Sequence, residues 1–361
     1  MKPPAKYSRF RRGLAILSVF FGALIIGAAV CETVLHVSGA FAEVEWPVEF
    51  QGYKQARLDA HQFAHEHGTY EPGSVIPIYA DGAIALGRAD NLGFIGNNSP
   101  QPRQTDLLVF GDSFAYGYGV NSDKAFAARL GAYNAGVWGE AFPFHCRVFQ
   151  TVAPAISPKR AIWAIYPPHV ISCTPNGWYT WRTVDSTRHP IWAFLIRQFN
   201  RTRCSTLLLK TTGWGCNRDD YESLEWSLYD ARDHRVDPGY ARFEESVVEV
   251  QRIAARLHIQ VIPLLVPSKT QIALALNGTR PLLYPAAPLD AGLPMARLSG
   301  ILQAHGLAPP NLINLMDLIR TNPGGWTNYY FKNDAHLSDT GNEAVAGFIA
   351  GRLAQISAAA N

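Results

Sequence analysis

Short apolar runs alternate with helix-type patterns over most of the chain after residue 100. Four of these runs, at 107–110, 161–165, 259–266 and 312–318, are mostly apolar and are bounded by polar or turn-forming residues. Such runs are typical of strands that are buried on both faces, as in the centre of a parallel sheet. A fifth and shorter strand is predicted to end near Asn134.

The segments between these strands have the spacing of helices. Apolar residues recur every three or four positions across 243–257, which predicts an amphipathic helix against the sheet. Further helices are predicted at 125–130 and 340–356, and helices with proline-rich breaks over 273–310. Five strands that alternate with helices predict a three-layer α/β/α fold with a flavodoxin-like parallel five-stranded sheet and right-handed crossovers.

The N-terminal region follows a different pattern. Residues 13–31 are uncharged and mostly apolar, a length that lets a helix cross a bilayer as a transmembrane anchor. Residues 1–12 form a basic flank, so the positive-inside rule predicts a cytoplasmic N-terminus and sends the rest of the chain across the membrane. Residues 32–86 are then expected to be a stalk and lead-in to an α/β domain at 87–356.

Two alternatives to an uncleaved anchor stay open. The small residues Gly27, Ala28 and Ala29 offer a cleavage site for a signal peptide. Cys31 suggests a lipoprotein, although the bulky Val30 precedes it where a small residue is expected. The length of the apolar span favours the anchor.

Composition and charge exclude several classes of protein. With 48% hydrophobic and 17% charged residues, the chain suits a globular fold rather than a disordered or repetitive one. The net charge is +3, but the basic flank at 1–12 carries five positive charges, so the remainder of the chain is slightly acidic. No nucleic-acid partner is therefore expected.

The apolar run at 107–110 ends abruptly in Gly111-Asp112-Ser113. Glycine directly after a strand permits a tight turn that a larger residue would resist. Ser113 would then lie at the carboxyl end of a central strand, where open α/β sheets bind their ligands. This position predicts that Ser113 is a nucleophile, and the alternative is an ordinary turn.

A serine hydroxyl needs a base, and the base needs a group that orients it. Asp334 and His336 lie two residues apart just before the last predicted helix. This spacing on a loop lets Asp334 turn back to the imidazole while Nε2 of His336 points at Ser113 Oγ. We therefore predict a catalytic triad of Ser113, His336 and Asp334, the alternative being two surface loop residues.

Several motifs, taken in order, resemble those of the SGNH (GDSL) hydrolase superfamily. Gly111-Asp112-Ser113-Phe114 and Asp334-Ala335-His336 are similar to its first and last conserved blocks, and Asn134-Ala135-Gly136-Val137-Trp138-Gly139 is similar to its second. Leu265-Val266-Pro267-Ser268-Lys269 resembles a segment of membrane-anchored bacterial members. The resemblance covers residues 87–350. It implies a serine esterase or O-acyltransferase at a bacterial inner membrane, with a periplasmic catalytic domain.

The resemblance also implies an oxyanion hole, with one departure. The backbone N–H groups of Ser113 and Gly139 are expected to be two of its donors. The family has Gly-x-Asn-Asp after the third strand, with the Asn amide as the third donor, but this chain has Tyr166-Pro167-Pro168-His169. Because proline has no N–H, His169 is the candidate substitute. The alternatives are a residue such as Asn176 as the substitute, a local packing role for His169, or a weakened hole.

Residues 171–240 interrupt the α/β alternation and are predicted to be an insertion rich in aromatic residues and arginine. Its aromatic rings either stack on sugar rings or form the core of a small subdomain. An even set of cysteines lies outside the apolar segment, and an oxidising compartment would let them pair as disulfides. Three pairings are open, including Cys146–Cys173 together with Cys204–Cys216. No metal site is expected, because the spacings lack a Cys-x-x-Cys unit.

The predicted substrate follows from the resemblance to anchored bacterial members. It is an ester-linked acyl group, above all acetyl, on a cell-surface or exported polysaccharide. The expected partners are this acylated polysaccharide or another ester, the membrane through residues 13–31, and envelope polysaccharide machinery. No cofactor is expected. Two alternatives stay open: a binding or assembly component that lost activity with the altered third block, and an esterase directed at lipids.

Overall fold

The computed structural model describes residues 20, 22–23, 26–34, 37, 51–81, 83–96, 99–139, 141–173, 225–278, 288–307, 309–332 and 334–360. The chain divides into two compact units, residues 1–45 with 182–219 and residues 46–181 with 220–361. In the first unit the described residues, all within 20–37, are helical. Among the described residues no helix is both long and apolar enough to cross a bilayer. Much of the predicted anchor at 13–31 lies outside them.

Two sheets make up the β-structure described in the second unit. Strands β1 (Val75–Ala80) and β2 (Ala83–Arg88) form an antiparallel hairpin. The central sheet contains β3 (Leu107–Gly111), β4 (Tyr133–Gly136), β5 (Arg160–Ile165), β6 (Gln260–Leu265) and β7 (Ile313–Asn314). These five strands are parallel and lie in the order β4-β3-β5-β6-β7. This is the flavodoxin-like order, so the predicted sheet is confirmed.

Helices cover both faces of the central sheet. Their bounds are α1 (Gln51–His67), α2 (Ser113–Tyr116), α3 (Phe126–Arg129), α4 (Phe142–Ile156), α5 (His169–Ser172), α6 (Asp237–Leu257), α7 (Lys269–Asn277), α8 (Leu293–Ala304), α9 (Leu315–Thr321) and α10 (Asp339–Ala360). Helix α6 packs against α4 and α8, whereas α10 packs against α3 and α9. β4 lies on one side of β3, whereas β5, β6 and β7 follow on its other side. Right-handed crossovers in these two directions place their helices on opposite faces of the sheet.

The last strand is shorter than the sequence pattern predicts. The prediction of a strand over 312–318 is wrong beyond Asn314, because α9 begins at Leu315. The side chain of Asn314 accepts a hydrogen bond from the backbone N–H of Met316 at 2.9 Å and so caps the helix. Apolar residues of this segment point into the core from a helix, which a short apolar run does not distinguish from a strand.

The cysteines of the described region are not joined. Cys146 and Cys173 are both free, so the possible Cys146–Cys173 disulfide is not formed. The Cys146 thiol instead donates to the carbonyl oxygens of Phe142 and Ser246. Burial raises the pKa of Cys146 to about 12 and that of Cys173 to about 11, which disfavours the thiolate that disulfide exchange requires. Cys204, Cys216 and most of the predicted insertion at 171–240 lie outside the described residues.

Part of the predicted lead-in is built into the α/β domain. Helix α1 and the β1–β2 hairpin lie within 51–88, and α1 packs against β1. Tyr70 is buried, and its hydroxyl accepts a hydrogen bond from the backbone N–H of Trp138 at 3.0 Å. The segment before β3 therefore supports the loop that follows β4.

Candidate active site

Strand β3 ends in a turn that requires glycine. All five residues of β3 are buried. Gly111 has φ 140°, and a Cβ at this position would lie 2.6 Å from the carbonyl oxygen of Ala164 on β5. The turn therefore passes closer to the neighbouring strand than a side chain allows. It places Ser113 as the first residue of α2, at the carboxyl end of a central strand.

Two further contacts hold α2 in place. The Oδ1 atom of Asp112 accepts a hydrogen bond from the backbone N–H of Phe114 at 2.8 Å and caps the helix. On its other side α2 lies directly on β4, where a Cβ on Gly136 would collide with the backbone nitrogen of Tyr116. The second-block glycine at 136 thus allows close packing of helix on strand, and the position of Ser113 depends on that packing.

The structure brings together the three residues of the predicted triad. Ser113 Oγ lies 2.7 Å from Nε2 of His336. Nδ1 of His336 lies 2.5 Å from Oδ1 of Asp334, and this oxygen also accepts the backbone N–H of His336 at 2.9 Å. The hydrogen-bonded order is therefore serine, imidazole and carboxylate, which is the geometry that nucleophile activation needs.

The electrostatics of Asp334 suit the role of an orienting carboxylate. Its burial opposes ionisation, but the hydrogen bond and charge of His336, together with the nearby charge of Lys269, outweigh burial and hold the pKa of Asp334 below its usual range. Asp334 is therefore ionised at neutral pH. An ionised carboxylate keeps the proton of a neutral imidazole on Nδ1, which leaves Nε2 free to accept the proton of Ser113.

Aromatic rings enclose the imidazole of His336. The ring of Tyr118 stacks on it with centroids 4.2 Å apart, and the ring of Phe114 lies 5.0 Å from it. The Tyr118 hydroxyl accepts a hydrogen bond from Nη1 of Arg57 at 3.2 Å. The sequence motifs did not identify Tyr118 or Arg57, since neither lies in a conserved block; the position of Tyr118 five residues after the nucleophile was the available signal.

Lys269 holds the loop that carries the base. Its ammonium group donates to the carbonyl oxygens of Phe331 at 2.8 Å, Lys332 at 3.0 Å and Asp334 at 3.2 Å. Burial lowers the pKa of Lys269. From the opposite side, Oδ2 of Asp81 accepts the backbone N–H of Lys332. The loop before His336 is thus fixed by α7 and by the β1–β2 hairpin.

His169 lies beside the aspartate that precedes the nucleophile. Nε2 of His169 lies 3.1 Å from Oδ2 of Asp112, and its Nδ1 is buried without a hydrogen-bond partner among the described residues. A donor of the oxyanion hole must instead face the substrate beside Ser113 Oγ. Nε2 of His169 contacts Asp112, and the role of His169 as the third donor stays a prediction.

Gly139 lies in the loop after β4 with φ 82°. The neighbouring ring of Trp138 is 5.8 Å from the ring of Tyr118, which stacks on His336, so this loop borders the site. No described residue accepts a hydrogen bond from the N–H of Gly139. Its role in an oxyanion hole, with the N–H of Ser113, stays a prediction.

The described residues contain no group of three or more His, Cys, Asp or Glu side chains arranged to hold a metal ion. No protein-family model matches the chain, and a search of curated proteins finds no match.

Solved structures give distant likenesses. A lipase/acylhydrolase from Enterococcus faecalis has 13% sequence identity and a TM-score of 0.36, covering 68% of this chain and 93% of that one. A psychrotrophic esterase from Pseudoalteromonas sp., inhibited by monoethylphosphonate, has 9% identity and a TM-score of 0.37, with coverage of 70% and 98%. A lipolytic protein of the G-D-S-L family from Desulfitobacterium hafniense DCB-2 has 14% identity and a TM-score of 0.34, with coverage of 68% and 98%.

The motifs and the geometry agree with each other. The first-block serine and the last-block aspartate and histidine meet at the carboxyl end of a flavodoxin-like sheet. In its sequence blocks, in its strand order and in the arrangement of Ser113, His336 and Asp334, the chain resembles the SGNH (GDSL) hydrolase superfamily.

Proposed function

We propose that the chain is a serine esterase or O-acyltransferase that forms an acyl-enzyme at Ser113. The observation that carries this proposal is the continuous hydrogen-bonded line from Ser113 Oγ through His336 to Asp334. Ser113 and the nearby pair of Asp334 and His336 come from distant parts of the chain, and the fold brings them into hydrogen-bond contact.

The reaction is acyl transfer in two steps. Ser113 Oγ attacks the ester carbonyl carbon while its proton moves to Nε2 of His336, and the resulting oxyanion accepts hydrogen bonds from the N–H groups of Ser113 and Gly139. The ester C–O bond then breaks, and the leaving alkoxide takes the proton from His336. In the second step water or a sugar hydroxyl gives a proton to His336 and attacks the acyl carbon. The bond from this carbon to Ser113 Oγ then breaks, Oγ takes the proton back from His336, and the free acid or the acylated sugar leaves.

The proposed substrate is an acyl group, above all acetyl, on a cell-surface or exported polysaccharide. The resemblance to anchored bacterial members supports this class of substrate. The surroundings of His336 are compatible with it, because the half-buried Trp138 and Arg57 lie beside the site. Aromatic rings pack on the apolar faces of sugars, and arginine binds the carboxylates of acidic sugars.

Labelling with a serine-reactive phosphonate tests the mechanism. The full chain is purified in detergent and compared with Ser113→Ala, His336→Ala and Ser357→Ala, the last being a matched substitution of a serine in α10. We expect labelling of the wild type and of Ser357→Ala, none of Ser113→Ala, and slow labelling of His336→Ala. Labelling that survives in Ser113→Ala would refute the mechanism, and an inert wild type would favour a binding or assembly component.

A second assay separates the two acyl acceptors. Wild-type protein that labels is given an acetyl ester with and without an added oligosaccharide. Release of acetate alone identifies an esterase, whereas acetyl transfer to the oligosaccharide identifies an O-acyltransferase. A marked preference for long acyl chains over acetyl would instead indicate an esterase directed at lipids.

We also propose that residues 13–31 anchor the chain in the bacterial inner membrane with the α/β domain in the periplasm, near envelope polysaccharide machinery. The apolar span and its basic flank support this location. Alkaline extraction of membranes followed by protease treatment of spheroplasts tests it. Release of the chain by alkali, or protection of the α/β domain from external protease, would contradict the proposal.

A further inference from the structure

Asp112 and His169 form a buried pair directly below the nucleophile. Nε2 of His169 lies 3.1 Å from Oδ2 of Asp112 in an ion-pair contact without hydrogen-bond geometry, and the two side chains are 7% and 0% exposed. Asp112 follows β3 and His169 follows β5, and these two strands are neighbours in the sheet. The strand order reverses between them, so the pair joins the two loops that border the crevice of the fold.

Asp112 also forms hydrogen bonds to the helix α2 that carries the nucleophile. Its Oδ1 atom accepts the N–H of Phe114 at 2.8 Å, and its backbone carbonyl accepts the N–H of Tyr116 at 2.9 Å. These two bonds fix the single turn of α2 that begins with Ser113. Ser113 Oγ is placed 2.7 Å from Nε2 of His336 by that turn. Rotation of the Asp112 side chain would break its bond to Phe114 and remove one of the contacts that hold this turn.

Asp112 needs a partner to stay ionised in this position. A buried carboxylate without a compensating donor is costly. Burial opposes the ionisation of Asp112, but the contact with His169 and its charge lower the pKa below the usual range, with a smaller contribution from the nearby His145. His169 is thus the side chain that stabilises the carboxylate from the side opposite to Phe114.

From these contacts we propose that His169 is a positioning residue that acts through Asp112 to hold Ser113 in its reactive orientation. This inference rests on the proposed function, since it concerns the activation of Ser113. His169 stands where relatives have an oxyanion donor, yet its Nδ1 is buried and its Nε2 faces Asp112. It therefore supports the nucleophile from behind and does not touch the substrate.

Two amide substitutions distinguish positioning from oxyanion binding. The amide nitrogen of Gln reaches the place of Nε2, so His169→Gln keeps an N–H group beside Oδ2 of Asp112. The shorter His169→Asn places its amide nitrogen near Nδ1 and loses that donor. Displacing a reacting group by about 1 Å costs about 100-fold in rate. We expect the rate of phosphonate labelling at Ser113 to fall about 100-fold in His169→Asn and less than about tenfold in His169→Gln.

Two controls accompany the labelling of the His169 variants, and one result would overturn the proposal. The same two substitutions at the exposed His234 are expected to leave labelling unchanged. In an Asp112→Asn background, the Gln and Asn variants at position 169 should label at equal rates, because the residue through which His169 acts has been altered. A higher rate for His169→Asn than for His169→Gln would show that His169 is a substrate-facing donor and overturn the proposal.

Hydrogen exchange gives a readout that does not depend on activity. The N–H of Phe114 is protected by its bond to Asp112, so the peptide around residues 107–118 should exchange about tenfold faster in His169→Asn than in His169→Gln. Thermal unfolding of both variants separates this local effect from a global loss of stability. If the wild type fails to label, the proposed function fails, while equal exchange in the two variants would still refute the positioning role.

Discussion

The contacts of Lys269 lead to a prediction for a single substitution. Lys269→Met keeps most of the volume of the side chain and removes the ammonium group. The wild-type ammonium donates to the carbonyl oxygens of Phe331, Lys332 and Asp334. These carbonyls converge on one point, so no other described contact replaces all three bonds when the charge is removed. We therefore expect the loop that carries Asp334 and His336 to loosen.

The size of the effect follows from these three bonds. A hydrogen bond in a folded protein contributes about 1 kcal/mol net, so three sum to about 3 kcal/mol. The wild type must also desolvate a half-buried ammonium, which offsets part of that sum. We expect Lys269→Met to lower the free energy of unfolding by about 1–2 kcal/mol. A shift of His336 by about 1 Å would lower the rate of acylation about 100-fold.

Urea unfolding and the rate of phosphonate labelling measure the two effects. Lys332→Met is the matched control, because Lys332 is exposed in the same loop and is expected to keep wild-type values. Removing the positive charge near Asp334 should also raise the pKa of that carboxylate. A labelling rate within twofold of the wild type would refute the positioning role of Lys269.

Three further predictions concern neighbouring features. Gly136→Ala should destabilise the fold by about 1–3 kcal/mol in urea unfolding, because its Cβ would collide with the backbone of α2, whereas Gly347→Ala has open space and should not destabilise. Tyr118→Ala should slow phosphonate labelling about tenfold by removing the ring stacked on His336, whereas Tyr118→Phe, which loses only the bond from Arg57, should stay near the wild-type rate. The pKa values of Asp112 and Asp334 are lowered in the folded protein. Their contribution to stability is therefore present above about pH 4 and is lost as the pH falls through the folded pKa values. Urea unfolding at pH 6 and pH 3 should show this loss, and equal free energies of unfolding would contradict it.

The sheet was predictable because each of its central strands leaves a local signature. The runs at 107–110 and 161–165 are apolar throughout, and the run at 259–266 is interrupted only by the exposed Gln260, since these strands are buried on both faces. The segment at 312–318 was not predictable in the same way. A short strand followed by the buried face of a helix gives the same apolar pattern, and the capping role of Asn314 decides between them only once the fold is known.

The candidate site also contains residues that the sequence predicted and residues that it did not. Ser113, Asp334 and His336 were found because they lie in recognisable blocks, and spacing alone placed the carboxylate within reach of the imidazole. His169 and Lys269 act through long-range contacts that no local pattern encodes. His169 was assigned by its place in the order of blocks, and that order does not report which way a buried ring turns.

The enclosure of His336 restricts how an ester can be cleaved. Phe114 and Tyr118 lie against the ring of His336, and its Nδ1 is held by Asp334, so these contacts keep Nε2 directed at Ser113 Oγ. In the proposed reaction the leaving alcohol accepts its proton from Nε2 on the side of Ser113, and the incoming acceptor donates its proton to the same nitrogen. The leaving group and the acceptor therefore use the same opening of the site. In the proposed reaction, water and a sugar hydroxyl would therefore compete for a single position beside Nε2 of His336.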